Sequence, residues 1–197
     1  LWFDVWENKK NIVQSRIKAL LQLNKRIFAR QTLVQRINKN EAETFLNNHH
    51  LMGYATAAYH YGLKHKNVLV AVAAFSRGRK MNRLSSTERS FELIRFAGMA
   101  DMNIVGGLSK LIIYFEKNHK PGDIMTYTDM DWGVANTFEK LGFRKEGITS
   151  PHLYILDLNT HVRNYFKAFR SEDIEKDSSR FLTISNAGSI KYIRQKK

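Results

Sequence analysis

A short apolar segment before residue 130 carries side chains that are suited to proton transfer. In a predicted strand over residues 124–129, the alternation of side chains places Met125, Tyr127 and Asp129 on one face. Asp129 stands at the carboxyl end of the strand, where open α/β sheets place their sites. Asp129 has the chemistry of a general base or a metal ligand, and Tyr127 that of a general acid. The segment therefore predicts part of a catalytic site.

Arg95 lies on the preceding predicted strand, over residues 91–99, where alternation gives it a face shared with Phe91 and Leu93. A buried arginine among apolar residues needs an acidic or carbonyl partner, and Asp129 is the obvious acid. Two interpretations stay open. Arg95 is an anion clamp in the site, or it forms a structural ion pair with Asp129 that joins the two strands.

His50 comes at the end of a predicted helix and is the fourth candidate catalytic residue. A histidine acts as a base near neutral pH or binds a metal. Together with Asp129 and Asp131, His50 would form a ligand set for Fe or Mn, although no spacing in the sequence enforces it. The alternative is that His49 and His50 are a polar helix end.

A glycine pair opens the predicted helix that follows the Arg95 strand. Gly106 and Gly107 permit close backbone approach, and the N–H groups at a helix N-terminus favour an anion. The alternative is a glycine pair that only tightens the turn. The candidate anion-binding segment consists of Val105, Gly106, Gly107, Leu108, Ser109 and Lys110.

The net charge of +14 is unevenly distributed over the 197 residues. Residues 1–40 carry +7 and residues 161–197 carry +5, whereas the 120 residues between them carry only +2. Basic flanks around a nearly neutral core predict a nucleic-acid partner, DNA rather than RNA. The alternative is that the charge only keeps the protein in solution. Residues 76–90 form a basic loop with the candidate phosphate contacts Arg77, Arg79, Lys80, Arg83 and Arg89.

Composition excludes several classes of protein. The hydrophobic fraction of 43% is too high for a disordered chain. Because cysteine is absent, a disulfide framework, a thiolate zinc site and a cysteine nucleophile are excluded. The longest apolar run, residues 68–75, is too short to span a membrane. We expect a cytoplasmic protein and, because the first residue is Leu1, a part of a longer chain; the oligomeric state is left open.

Hydrophobic periodicity predicts an α/β domain with a mixed central sheet flanked by helices. The predicted order is β-α-β-β-β-α-β-α-β over residues 32–160, with the first helix capped by Asn40. A helix over residues 10–30 belongs to a basic N-terminal extension, residues 1–31. A basic C-terminal extension, residues 161–197, packs on the same domain and ends in a predicted hairpin over residues 181–193. A helix is also predicted over residues 134–141.

Residues 136–143, which include Phe138 and Gly142, resemble the late helix-to-strand motif of the GNAT fold of N-acetyltransferases. The glycine pair stands where that fold places its acyl-CoA pyrophosphate loop. The resemblance implies that Val105 to Lys110 and Asn136 bind acetyl-CoA or a related acyl donor. The sequence departs from the family pattern at Ile104, where Gln or Arg is usual, and at Phe138, where a tyrosine often protonates the thiolate of CoA.

A narrower resemblance covers residues 41–157 and includes the segments 92–96, 127–129 and 151–154. These segments are similar to a GNAT-like domain of phage and mobile-element proteins, and distantly to the phage Mom DNA-modification protein. The resemblance implies group transfer to nucleic acid, with Trp132 and Tyr154 as candidates for base stacking or core packing. The alternatives are a non-catalytic DNA-binding module and an acetyltransferase that acts on a small amine or a protein.

Overall fold

A seven-stranded sheet with helices on both faces forms the centre of the molecule, as seen in a computed structural model that describes residues 2–132, 136–166 and 179–195. The helices are α1 (Phe3–Leu20), α2 (Lys39–His49), α3 (Gly107–His119) and α4 (Thr137–Lys140). The strands are β1 (Lys25–Phe28), β2 (Leu33–Arg36), β3 (Tyr59–His65), β4 (Val68–Phe75), β5 (Ser90–Gly98), β6 (Met102–Val105), β7 (Asp123–Asp129), β8 (Arg144–Ile148), β9 (Leu153–Asp157), β10 (Val162–Tyr165), β11 (Phe181–Ser185) and β12 (Ser189–Gln195). The predicted α/β class with a mixed, helix-flanked sheet is confirmed.

The strand order of the large sheet is β2-β3-β4-β5-β7-β12-β8. Its neighbouring strands are antiparallel except for β5 and β7, which run parallel. The sheet is buried on both sides because α3 and α2 cover opposite faces. Phe115 of α3 stacks on Phe75 with 3.9 Å between ring centroids, and Phe45 and Leu46 of α2 pack in a second cluster with Val72. None of the described helices is long and apolar enough to cross a membrane.

The C-terminal strands differ from the predicted hairpin. β11 pairs with β9 in a small sheet of order β10-β9-β11, whereas β12 pairs with β7 and β8 in the large sheet. The connection is fixed by Asn186, whose side-chain oxygen accepts from the N–H groups of His152, at 2.7 Å, and Gly188, at 3.1 Å. Gly188 has a φ of +86°, and a Cβ there would meet the carbonyl oxygen of Thr149 at 2.5 Å.

Both flanking segments have more strand than the periodicity indicates. The predicted helix over residues 10–30 ends at Leu20, and β1 then pairs in parallel with β6 as a separate two-stranded sheet. α2 begins after Asn38 rather than Asn40, because Asn38 accepts from the N–H of Glu41 at 2.9 Å and completes a capping box. Residues 134 and 135 of the predicted helix and residues 167–178 of the predicted C-terminal extension lie outside the described residues.

β5 and β7 separate soon after they begin. Their parallel register covers three pairs, from Ser90 with Asp123 to Glu92 with Met125. One further link follows, where the hydroxyl of Thr126 donates to the carbonyl of Leu93 at 2.9 Å. Beyond that link, β5 pairs with β4 and β7 pairs with β12, so the two strands diverge. We call the resulting opening, at the carboxyl ends of β5 and β7, the crevice.

A β-bulge in β5 corrects the predicted orientation of Arg95. Ala74 pairs with Arg95 and Phe75 pairs with Leu93, so Ile94 is an extra residue in the strand. The bulge reverses the alternation, and Arg95 leaves the face of Phe91 and Leu93. It takes the face of α2 instead.

The buried ion pair between Arg83 and Asp123 supplies the first test. Arg83 donates to both carboxylate oxygens, at 2.7 and 3.0 Å, and the Asp123 side chain has no exposed surface. We expect Arg83→Met to lower the free energy of unfolding by about 3–5 kcal/mol, because a buried carboxylate loses its partner. Urea unfolding measures the change. The control is Arg79→Met, which removes the exposed ion pair with Glu92 and should cost about 0–1 kcal/mol; equal losses would contradict the assignment.

Candidate functional site

Two turns border the crevice, and an arginine is bound to each of them. Arg95 donates from Nε to the carbonyl of Gly53, at 3.2 Å, in the turn over residues 50–53 that follows α2. Its Nη1 also donates to the carbonyl of Ile94, at 2.9 Å. Across the crevice, Arg16 donates to the carbonyl of Trp132, at 3.1 Å, in the turn over residues 129–132 that follows β7. The carbonyl groups hold both guanidinium groups in place.

Arg16 comes from α1, which runs past both sides of the crevice. The hydroxyl of Ser15 accepts from the N–H of Asp101, at 2.8 Å, after β5. Trp2 donates to the carboxylate of Asp131, at 3.2 Å, after β7. An ion pair of 3.2 Å joins Asp4 to Arg163 of β10. The N-terminal helix is therefore part of the site.

Arg16 is absent from the residues that the sequence predicts for the site. A signal does exist, because Arg16 follows the buried Ile12 and Val13 by four and three residues and so lies on the buried side of α1. Burial lowers the pKa of Arg16, and the charge of Asp129 opposes this lowering. The guanidinium group also stacks on the ring of Trp132, 5.1 Å from its centroid. Trp132 thus contacts an arginine at the mouth of the crevice.

His50 is held in its neutral form. Burial, followed by the positive charges of Arg95 and Arg16, lowers its pKa to about 3. The N–H of Met52 donates to Nδ1 at 3.1 Å, so the proton of the neutral ring is on Nε2. At neutral pH this imidazole offers an N–H donor and has little capacity to accept a proton.

Asp129 is placed on the other side of the crevice from His50. Its Oδ1 accepts from the N–H of Asp131 at 2.8 Å. The predicted ion pair with Arg95 is not formed among the described residues, because the two strands diverge and each group has another partner. Tyr127 shares its strand face and is 42% exposed. The structure therefore brings Asp129 near Arg16, and Tyr127 lies beside it toward solvent.

Two tyrosines of the small sheet complete the border of the crevice. The rings of Tyr154 and Tyr165 lie 4.9 Å apart, and Arg163 lies over the ring of Tyr154 at 5.0 Å. Burial and the neighbouring Tyr165 raise the pKa of Tyr154 to about 12. Tyr154 is 9% exposed, so its ring packs inside the protein.

The glycine turn lies where β6 leads into α3. Gly106 takes a φ of +75°, which L side chains rarely adopt, and precedes α3 as its N-cap. A Cβ on Gly107 would lie 2.9 Å from the side chain of Ile104, so this glycine is also required for packing. The first backbone N–H groups of α3, at residues 107–109, have no carbonyl partner within the helix. These groups are the candidate anion-binding donors at the start of a helix of 13 residues.

The other residues predicted for donor binding have varied surroundings. The ammonium group of Lys110 donates to the carbonyl of Ala29, at 2.8 Å, and to that of Thr32, so it is directed toward the segment before β2. Leu108 packs against the core, and Val105 pairs with Phe28 at the edge of the glycine turn. Asn136 is exposed and precedes α4 with a left-handed backbone.

Thr128 supplies an independent observation at the crevice. Its hydroxyl oxygen is buried and has no hydrogen-bond partner among the described residues. Thr128 lies two residues after Thr126, on the same strand face, just beyond the last link to β5. A buried hydroxyl without a partner is costly, so a polar group of a ligand in the crevice would satisfy it.

The basic loop lies at the opposite end of the sheet. It follows β4 and precedes β5, so it borders the amino ends of β5 and β7, about 20 Å along the strands from Asp129. Three arginines of the loop have partners within the protein. Arg83 donates to Asp123 and Arg79 donates to Glu92, while Arg89 donates to the carbonyls of Ser86 and Glu88. Arg77 and Lys80 are exposed.

The predicted Fe or Mn set finds no support. Among the residues that the structure describes, no three His, Asp or Glu side chains are grouped closely enough to hold a metal ion. The Asp131 carboxylate accepts from Trp2 and, at 3.1 Å, from the N–H of Ala187, so it is turned away from His50.

No family model and no curated protein sequence matches this chain. Solved structures do match its fold. A Bacillus subtilis acetyltransferase in complex with CoA has a TM-score of 0.53 at 13% identity, over 84% of this chain and 99% of its own. A GNAT family acetyltransferase from Elizabethkingia anophelis with acetyl-CoA bound has a TM-score of 0.51 at 14% identity, over 84% and 99%.

A third match is the ribosomal-protein-S18-alanine N-acetyltransferase from Escherichia coli, with a TM-score of 0.50 at 12% identity, over 83% of this chain and 93% of its own. The chain has the GNAT fold. The prediction of that fold from the glycine turn and residues 136–143 is confirmed. The narrower resemblance to phage proteins and to Mom stays a prediction.

The protonation of His50 can be measured directly. We expect NMR titration of the imidazole to give a pKa of about 3 with the proton on Nε2. In Arg95→Gln the pKa should rise but stay below 6.5, since burial is the larger cause. Because the unfolded histidine, with a pKa near ~6.5, binds a proton first, this group contributes stability that falls as the pH drops from 6.5 toward 3. A pKa at or above 6.5 would contradict the buried, neutral ring.

Proposed function

We propose that the protein is an acyltransferase that uses an acyl-CoA thioester as donor and an amine as acceptor. The observation that carries the proposal is the separation of β5 and β7 after three residue pairs, in a chain whose α3 begins with a left-handed glycine turn. An extended donor arm would lie in the crevice between the two strands. Two matching structures of the same fold are described with CoA or acetyl-CoA bound, which supports the choice of donor.

The residues that are present fit such a donor. The N–H groups of residues 107–109 would bind the pyrophosphate, because a helix N-terminus with free donors favours phosphate. The buried hydroxyl of Thr128 would form a hydrogen bond with a polar group of the donor arm. The thioester supplies an acyl carbon, to which the amine nitrogen bonds as the carbon–sulfur bond breaks.

The proton of the attacking amine would be taken by Asp129. Arg16 lies beside Asp129, and the charge of Asp129 acts on its guanidinium group. His50 would donate a hydrogen bond from Nε2 rather than accept a proton. Phe138 has no hydroxyl group and packs on Phe143 with ring centroids 5.3 Å apart, so Tyr127 is the candidate acid for the leaving thiolate.

For the acceptor we propose an amine on nucleic acid, such as a DNA base modified in the manner of Mom. Three observations support this choice. The net charge is +14, Arg16 and Arg95 are bound to the two turns of the crevice, and Arg77 and Lys80 are exposed at the far end of the sheet. Long-range attraction to phosphate would bring the polyanion to the surface.

Donor binding is tested at Ser109, in the first turn of α3. In Ser109→Asp, the carboxylate complements the helix dipole and keeps the helix stable, but it repels a pyrophosphate. We expect acetyl-CoA to bind at least about tenfold more weakly to this variant by calorimetry, whereas Ser109→Asn, of the same size and neutral, should bind nearly as the wild type does. Equal affinities for all three proteins would place the donor elsewhere.

Asp129→Asn separates catalysis from binding. We expect acyl transfer to DNA, followed by mass spectrometry of the digested nucleosides, to fall by about 10²–10⁴-fold while DNA affinity is unchanged. The comparison protein has Arg77, Arg79 and Lys80 changed to Gln, and should bind DNA more weakly with a shallower salt dependence.

Three outcomes decide between the alternatives. Transfer that depends on Asp129 supports the enzyme. DNA binding without transfer in any protein supports a non-catalytic module. The third outcome is transfer to a polyamine or a peptide, at the same rate in the wild type and in the protein with Arg77, Arg79 and Lys80 changed to Gln. That outcome supports an acetyltransferase of small amines or proteins and contradicts the nucleic-acid acceptor.

A further inference from the structure

A cavity at the start of α2 lies outside the crevice, and we propose that it binds a phosphate group carried by a nucleotide or by a nucleic-acid strand. The site is a cavity of about 400 Å³ between the end of β2, the start of α2 and the segment before β3. This volume falls within the range of about 300–1,000 Å³ that is typical of small-molecule sites. The proposal does not depend on the acyl-transfer function.

Two residues with cationic side chains, Arg36 and Lys39, are among those that line the cavity, and the guanidinium of Arg36 lies over the ring of Tyr59 at 5.9 Å. Neither forms an ion pair with any residue that the structure describes. No Asp or Glu is found among the described residues of the lining. The nearest acid along the chain, Glu41, is occupied because its carboxylate accepts from the N–H of Asn38 at 3.2 Å. The cavity thus has positive charge without a protein counterion.

The walls of the cavity are polar and partly fixed by hydrogen bonds. His60, which is 7% exposed, has its Nε2 3.3 Å from the hydroxyl of Tyr54, and both residues line the cavity. Burial, followed by the charges of Arg36 and Lys39, lowers the pKa of His60, so the ring adds no further charge at neutral pH. Tyr54 presents an aromatic wall.

Phosphate is the anion that this arrangement fits best. The guanidinium fork of Arg36 matches two phosphate oxygens, and Lys39 adds a second cation at an adjacent wall. The cavity is larger than one phosphate group needs, so a sugar or base attached to it would contact the wall of Tyr54. A simple surface lysine would provide neither the fork nor the enclosing walls.

The cavity adjoins both the basic loop and the turn over residues 50–53 that borders the crevice. The N–H of Ala58, in the cavity wall, donates to the carbonyl of Phe75 at 2.9 Å, and the basic loop begins at the next residue of that strand end. On its other side, Tyr54 of the lining directly follows Gly53, whose carbonyl accepts from Arg95, and His60 lies level with Arg95 because both residues pair with Ala74. Arg77 and Lys80 are the exposed charges of the basic loop.

Calorimetry on the whole chain tests the proposal with three probes: inorganic phosphate, 5′-dAMP and a short single-stranded oligodeoxynucleotide. We expect the double variant Arg36→Gln, Lys39→Gln to bind the preferred probe at least about tenfold more weakly. The control is Lys64→Gln, Lys66→Gln, which removes the same charge at the β3–β4 end of the sheet and should bind as the wild type does. Thermal unfolding confirms that both variants are folded.

A variant that keeps both charges but fills the cavity tests whether the probe binds inside the cavity or is only attracted by the charge. Thr56 is exposed at the cavity mouth, and Thr56→Trp should block the cavity and weaken binding as much as the double variant does. Saturable binding of inorganic phosphate and 5′-dAMP would identify a free nucleotide as the ligand, and binding of the oligonucleotide alone would identify a strand. Absence of binding for all three probes, or an equal loss in the charge-matched control, would overturn the proposal.

Discussion

The incomplete pairing of β5 with β7 is the constraint on which the rest of the structure depends. A parallel pair of seven or more residues would close the sheet and leave no entry for a ligand between the strands. Here the pair ends at Glu92 and Met125, and beyond it β5 pairs only with β4 and β7 only with β12. Side chains bond to carbonyl groups beyond the end of the pair: the hydroxyl of Thr126 donates to Leu93, and Nη1 of Arg95 donates to Ile94.

The side-chain contacts around the crevice fix the separated ends of β5 and β7 in one geometry. The bulge at Ile94 turns Arg95 to the face of α2, where the carbonyl of Gly53 accepts from it. α1 provides the matching contact on the other side, through Arg16 and Trp132. Both arginines are fixed by backbone carbonyls, and the charge of Asp129 acts on Arg16. The positive charges of the arginines keep the buried His50 neutral.

Local signals in the sequence predict the helices and strands well. They fail where a one-residue bulge or a contact with a distant segment sets the position of a side chain. The glycine turn, the strand of Asp129 and the buried β4 follow from periodicity and turn chemistry. The N-cap at Asn38 lies two residues from the predicted one, since Asn38 and Asn40 are each followed three residues later by a glutamate, and the local sequence does not choose between the two capping boxes. Alternation cannot predict the bulge at Ile94, so Arg95 is expected on the wrong face. Arg16 is missed because its partners are more than 110 residues away.

The position of β12 has a consequence for how the chain reaches this fold. β12 fills the space between β7 and β8, and its Ser189 pairs with Asp129, 60 positions earlier in the sequence. During synthesis, β7 and β8 therefore leave the ribosome before β12 is made, and the edges that will pair with β12 are unpaired until then. Strand pairing between segments that are far apart in the sequence is slow, and until it occurs the unpaired strand edges can pair with other molecules. The nascent chain is thus most exposed to aggregation in the interval between the synthesis of β7 and β8 and the synthesis of β12.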